Sequence, residues 1–120
     1  MPLSMLANAI YQVLRQRVPG RHADIPYRQL VEQLPPLARP YQDLHWRDPR
    51  LDEALGEIVT ACRAAQLPAL SAIVVNAETG RPGRQYYPLA HPGVRDEVEQ
   101  EVLWAREREQ VLVTGYPPAL

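Results

Sequence analysis

The stretch from Leu51 to Gly83 combines an amphipathic period, a hard stop and an apolar run, and few folds accommodate all three. Leu51, Ala54, Leu55, Ile58, Val59, Cys62 and Ala65 recur at the three-and-four spacing of a buried helix face. Asp52, Glu53, Glu57, Thr60 and Arg63 fall on the other side. Pro68 ends the pattern, because proline has no N–H to donate and biases Leu67 away from helix. Leu70 to Val75 is short, apolar and rich in β-branched residues, which predicts a strand. Asn76 to Arg84 is a polar loop carrying Gly80, Gly83, Arg81 and Arg84. Gln85 to Leu89 reads as a returning strand, with Pro88 at its edge or end. Two strands joined by a basic turn predict a β-hairpin.

The rest of the chain supplies helices around this centre. Leu3, Leu6, Ala7, Ile10, Val13, Leu14 and Val18 form a helical stripe with Ser4 as cap, and Pro19-Gly20 ends it. Ile25 is placed to pair briefly in a sheet. Pro26 suits a first helical turn, and Tyr27, Leu30, Val31 and Leu34 predict a short second helix. Residues 35–48 form a long proline-rich connection, with Leu37, Tyr41, Leu44 and Trp46 to pin it to the core. Asp48-Pro49 is a helix start, so the third helix runs from Pro49 to about Gln66. A last helix is predicted from Val94 to Leu112. Asp96, Glu97, Glu99 and Glu101 come early and Arg106 and Arg108 late, in the order the macrodipole favours. Val94, Val98, Val102, Ala105 and Leu112 give it a partial stripe, while Leu103, Trp104 and Val111 fall partly off it.

At 120 residues the chain is long enough for one domain with a real core. The opening residues have no basic segment and read as a helix, not a signal peptide. No apolar run approaches the roughly 20 residues that span a bilayer. The single cysteine, Cys62, points to a reducing cytoplasm. His22, His45 and His91 share no ligand spacing with each other or with Cys62, so neither a metal nor a cofactor is expected. Cys62 on a core face reads as an inert thiol. Glu53 and Glu57 lie one turn apart, where a solvated acidic face is commoner than acid–base work. No catalytic constellation is present, so the chain is not expected to be an enzyme.

All thirteen cations are arginine, and the net charge is only −1. Residues 12–50 hold seven arginines against four acids, whereas residues 91–120 hold three against six. Such a chain suits either a DNA binder with a local contact face or a protein that docks on another protein.

The order of elements resembles a winged helix, and Ile25-Pro26-Tyr27-Arg28-Gln29-Leu30-Val31, Leu51 to Leu55 and Leu67 to Val75 resemble the DNA-binding domain of the alkylguanine-DNA alkyltransferase and alkyltransferase-like family. Ala69 stands at that family's reactive position, with Leu70 and Ser71 where its histidine and arginine would be, so the resemblance implies a scaffold without alkyl transfer. Arg50 is also one residue out of the family's register. A second pattern, Leu55-Gly56-Glu57-Ile58, Cys62, Leu67-Pro68, Leu70-Ser71, Val74-Val75-Asn76 and Glu78 to Gly83, is similar to small uncharacterised phage and bacterial domains, some joined to HNH nucleases. It implies a phage or defence-island setting and no activity.

The expected architecture is therefore α+β: a winged helix-turn-helix of three helices and a β-hairpin wing over residues 1–90, with a C-terminal helix and tail at 91–120 packing on the domain or on a partner. The expected function is binding of double-stranded DNA. Arg81 and Arg84 would sit on the wing, and Arg47 and Arg50 at the start of the third helix. A homodimer through the C-terminal helix is consistent with this. The alternative is a protein-interaction module, such as a phage-borne inhibitor of a host defence complex, docking through Asp52, Glu53, Glu57 and Trp104. Carboxylates on the third helix favour the alternative, since in a major groove they would face phosphates.

Overall fold

The computed structural model describes residues 3–36 and 41–120. Leu37 and Arg39, expected in the proline-rich connection, lie outside the described residues. Among the described residues, five α-helices and one two-stranded parallel sheet surround the core.

Helix α1, Met5–Arg15, begins where the Ser4 hydroxyl accepts a bond from Ala7 N–H (3.2 Å), and it buries Leu6, Ala7, Ile10, Tyr11 and Leu14. Strand β1, Ile25–Pro26, leads directly into α2, Tyr27–Gln33. Helix α3, Pro49–Ala64, starts on Asp48, whose carboxylate accepts Arg50 N–H at 3.0 Å, with Pro49 in the first position. It ends with Gln66 in the left-handed region (φ 59°), and Leu67 N–H returns to Cys62 C=O at 2.8 Å. That bond caps α3 without a glycine, and Pro68 prevents its continuation. The buried face of α3 is Leu51, Ala54, Leu55, Ile58, Val59 and Cys62, as its spacing predicts.

The β-hairpin wing does not form, and the winged helix-turn-helix is corrected accordingly. Leu70–Ile73 winds as a 3₁₀ turn, and only Val74–Val75 is strand, β2. All six residues are buried. A run enclosed on every side has no solvent face to impose alternation, so its apolar character does not separate strand from helix. Neighbours also satisfy its backbone: Ala72 N–H bonds to Ala69 C=O (3.0 Å), and Trp104 Nε1–H to Ala72 C=O (2.8 Å). β2 then pairs in parallel with β1, Ile25 opposite Val74 and Pro26 opposite Val75. A parallel pair cannot be joined by a tight turn, so it is not a hairpin.

The returning strand is also a helix. Tyr86–Ala90 forms α4, with Tyr86 fully buried. Pro88 falls in its first turn, where a missing N–H costs no intrahelical bond. The loop before it is closed by Gly80 N–H to Asn76 C=O and Asn76 N–H to Arg81 C=O, both at 2.8 Å, with Gly80 at φ 69°.

Helix α5, Glu97–Leu112, lies against the 3₁₀ turn. Its inward face is half-buried Trp104 with buried Glu107 and Val111, not the valine stripe; Val98 and Val102 point to solvent. Tyr116 closes the packing, its hydroxyl donating to Pro68 C=O at 2.7 Å.

Candidate functional site

The four arginines expected to bind DNA do not form one free cationic surface. Arg50 bonds the Asp48 carboxylate at 2.7 Å and lies 5.2 Å from the Tyr41 ring centre. Its hydrogen bonds hold the Asp48 carboxyl down to about 2. Arg81 reaches across to Glu101 of α5 at 3.1 Å, so it fastens a loop and tips no wing. Arg84 is exposed. Arg47 is exposed and lies 4.5 Å from the Trp46 ring centre. Arg28, which the sequence reading did not single out, lies 4.9 Å from the same ring, with His45 stacked on it at 5.7 Å.

The acidic residues of the alternative reading fare differently. Asp52, Glu53 and Glu57 project from one side of α3 and line a single groove of about 980 Å³. Its floor is small: Gly56, Thr60, Ala61, Ala64 and Ala65. Leu89 and Gln85 contribute from the α4 side, and Leu3 and Leu120 from the two ends of the chain. Three carboxylates and no cation are among the described residues that line it.

Each carboxylate has a distinct environment. Glu57 is committed to structure: its Oε1 accepts Ser4 N–H at 3.0 Å and its Oε2 accepts the Ser4 hydroxyl at 2.7 Å, which ties α1 to α3. Asp52 faces the Tyr27 hydroxyl; partial burial pushes its carboxyl up, and the Tyr27 bond opposes that shift. Glu53 is exposed. Tyr27 itself is pushed up to about 12, chiefly by burial, and accepts a bond from Gln85 Nε2–H at 2.9 Å.

Two glycines permit close approaches, one in the groove and one beside it. A Cβ on Gly56 would come within 2.9 Å of Leu89 Cδ1, so the bare backbone lets α4 lie close on α3. A Cβ on Gly83 would stand 2.1 Å from the Tyr27 hydroxyl oxygen, so the loop can pass that ring only as glycine. Leu89 stays 45 % exposed.

Trp104, the fourth residue of the docking alternative, is placed elsewhere. It packs α5 onto the 3₁₀ turn, and its indole N–H is spent on Ala72 C=O. Sequence reasoning places Leu3 in the stripe of the first helix and Gln85 and Leu89 in a strand, and assigns Leu120 no role, so it does not bring these four to one groove; no local pattern links positions so far apart in the chain.

Glu107 and Arg63 centre a structural cluster. Glu107 Oε1 accepts Ala69 N–H at 2.8 Å and pairs with Arg63 at 2.7 Å, while Arg63 also donates to Ala90 C=O at 3.0 Å. The Tyr86 hydroxyl and His91 Nε2 are 3.1 Å apart, and burial pushes His91 below its ordinary range. Cys62 is buried, and burial pushes its thiol up, away from the thiolate a nucleophile needs. Among the described residues no group of three or more His, Cys, Asp or Glu is placed to hold a metal ion, and no helix is long and apolar enough to cross a membrane.

No protein-family model, no curated protein and no solved structure matches this chain.

Proposed function

We propose that this chain is a non-enzymatic interaction module that binds a partner protein through the groove on α3. One observation carries the reading: the outer side of the central helix is a concave, small-floored surface with leucine walls and carboxylates that no lining cation answers. Such a surface repels phosphates and suits a polypeptide. A cytoplasmic setting fits the single buried thiol. The phage or defence setting implied by the second resemblance fits a small binding module of this kind.

The test is a photo-crosslinking amino acid at Thr60, on the groove floor, and in a parallel sample at Gln16, exposed beyond the end of α1. A protein adduct formed in the native cell from position 60 and not from position 16 is the expected result. Adducts to nucleic acid from position 60, or identical adducts from both, would overturn the reading.

A second reading has one observation in its favour. Arg28 and Arg47 flank Trp46, and both are exposed. Guanidinium groups steadied on an aromatic ring suit phosphate contacts, and double-stranded DNA would meet them where α2 and the start of α3 converge. This version uses no wing. It expects duplex binding that weakens steeply with salt and is lost in Arg28→Ala plus Arg47→Ala.

A further inference from the structure

The groove also restricts what kind of polypeptide it can hold. Building on the docking role proposed above, we infer that its occupant is a basic amphipathic helix supplied by the partner.

Length comes first. The lining residues on α3 and its C-cap run from Asp52 to Ala65. At 1.5 Å per residue that is about 20 Å of helix surface, the length of a partner helix of about 14 residues. Depth comes second. Thr60, Ala64 and Ala65 leave a small-residue surface exposed along the C-terminal half of α3, while Gly56, one turn before Thr60, is already covered by Leu89. A row of small side chains is a furrow into which the side-chain ridge of a second helix packs at close axial distance. Leu89 and Leu3 supply apolar walls for that ridge.

Mode comes third. Extended segments bind by adding to a free sheet edge or, as polyproline segments, in an aromatic-lined groove, and none of the described residues lining this groove is aromatic. The only strands described, Ile25–Pro26 and Val74–Val75, pair with each other, and neither lines the groove. A helix satisfies its own backbone and needs only side-chain complementarity.

Charge comes last. Glu57 is spent on Ser4, which leaves Asp52 and Glu53 at the α3 N-terminal end with no cation beside them in the groove. An arginine or lysine on the incoming helix would answer them. The same charge argues against a second copy of this chain. Its one helix with an apolar exposed face, among the described residues, is α5, and there Val98 and Val102 lie among Glu97, Glu99 and Glu101. Two such surfaces repel.

The experiment uses the full chain and amidated, fluorescein-labelled peptides of about 14 residues. One set carries a leucine stripe at helical spacing flanked by arginine, in three registers. Its twins replace arginine by glutamate, or place proline at the centre. Binding is read by anisotropy and by amide NMR shifts at Gly56, Thr60 and Ala64. At least one basic helix should bind about tenfold or more tighter than its acidic and proline twins. Asp52→Asn with Glu53→Gln should weaken it about tenfold, and Leu89→Glu should abolish it. Equal binding by the proline twin removes the helix from the proposal, and equal binding by the acidic twin removes its charge. If no basic helix shifts the groove amides, this inference fails. A protein adduct from position 60 would still leave the docking role standing, and its absence would end both.

Discussion

Two faces of this molecule carry carboxylates, and they use them in opposite ways. Where α5 meets the core, each acid that matters has a partner: Glu107 holds Arg63 and Ala69 N–H, and Asp24 takes the Arg108 guanidinium at 2.8 Å. Along the outer side of α3, Glu53 is left open to solvent and Asp52 has only a hydroxyl. The first arrangement fastens an element. The second leaves charge available to something outside the chain. An acid inventory read from the sequence treats both alike; only the position of a cation distinguishes glue from bait.

The largest way to break this comparison is Glu107→Leu. It orphans the Ala69 N–H and leaves Arg63 without its carboxylate, so unfolding in urea should show a loss of about 2–4 kcal/mol. The Arg63 side chain is 39 % exposed, which keeps the loss toward the lower end. Gly83→Ala comes next. Its Cβ collides with the Tyr27 hydroxyl, and relieving that contact should cost about 1–3 kcal/mol and move the Tyr27 ring resonances. Arg108→Ala removes a partly exposed pair and should cost only about 1 kcal/mol by the same measurement.

On the groove side the expected signs change. Burial raises the Asp52 carboxyl, so its ionised form is less favoured folded than unfolded. Whatever stability that shift contributes is present at low pH and lost as pH rises through the folded value. Asp52→Asn should therefore be neutral or slightly stabilising at pH 7, within about 0.5 kcal/mol, while weakening any cationic partner. A clear loss of stability would move Asp52 from the second class to the first. Asp48 sharpens the contrast from the other direction. Arg50 holds its carboxyl at about 2, so that contribution is complete above the ordinary carboxylate value and lost as pH falls toward 2. Arg50→Gln should return the Asp48 titration toward its ordinary value, read by carboxyl NMR shifts, with little change in global stability.

The helices were legible because their signals are local. Ser4 and Asp48 cap α1 and α3, and Pro68 terminates α3, through contacts within a few residues. The acids of the groove were legible as well, as the polar side of α3. The wing was not. Leu70 to Val75 and Gln85 to Leu89 are short, apolar or mixed, and composition alone does not separate strand from helix in either. The first is wrapped by α1, α3 and α5, so it winds as a 3₁₀ turn before yielding two residues of strand. The second follows Gly83 past Tyr27 and buries Tyr86, which a helical turn achieves and an edge strand does not.

Spacing, caps and prolines alone thus determined where α1, α2, α3 and α5 lie and which side of α3 faces inward. Tertiary packing alone decided that β2 pairs with β1 across the chain, that Arg81 ends on Glu101, and that Leu3, Leu89 and Leu120 wall a furrow along α3. The reason is range. A cap or a period is written within one or two turns of helix, whereas a groove is the space left over when distant segments pack, and no local pattern encodes its neighbours.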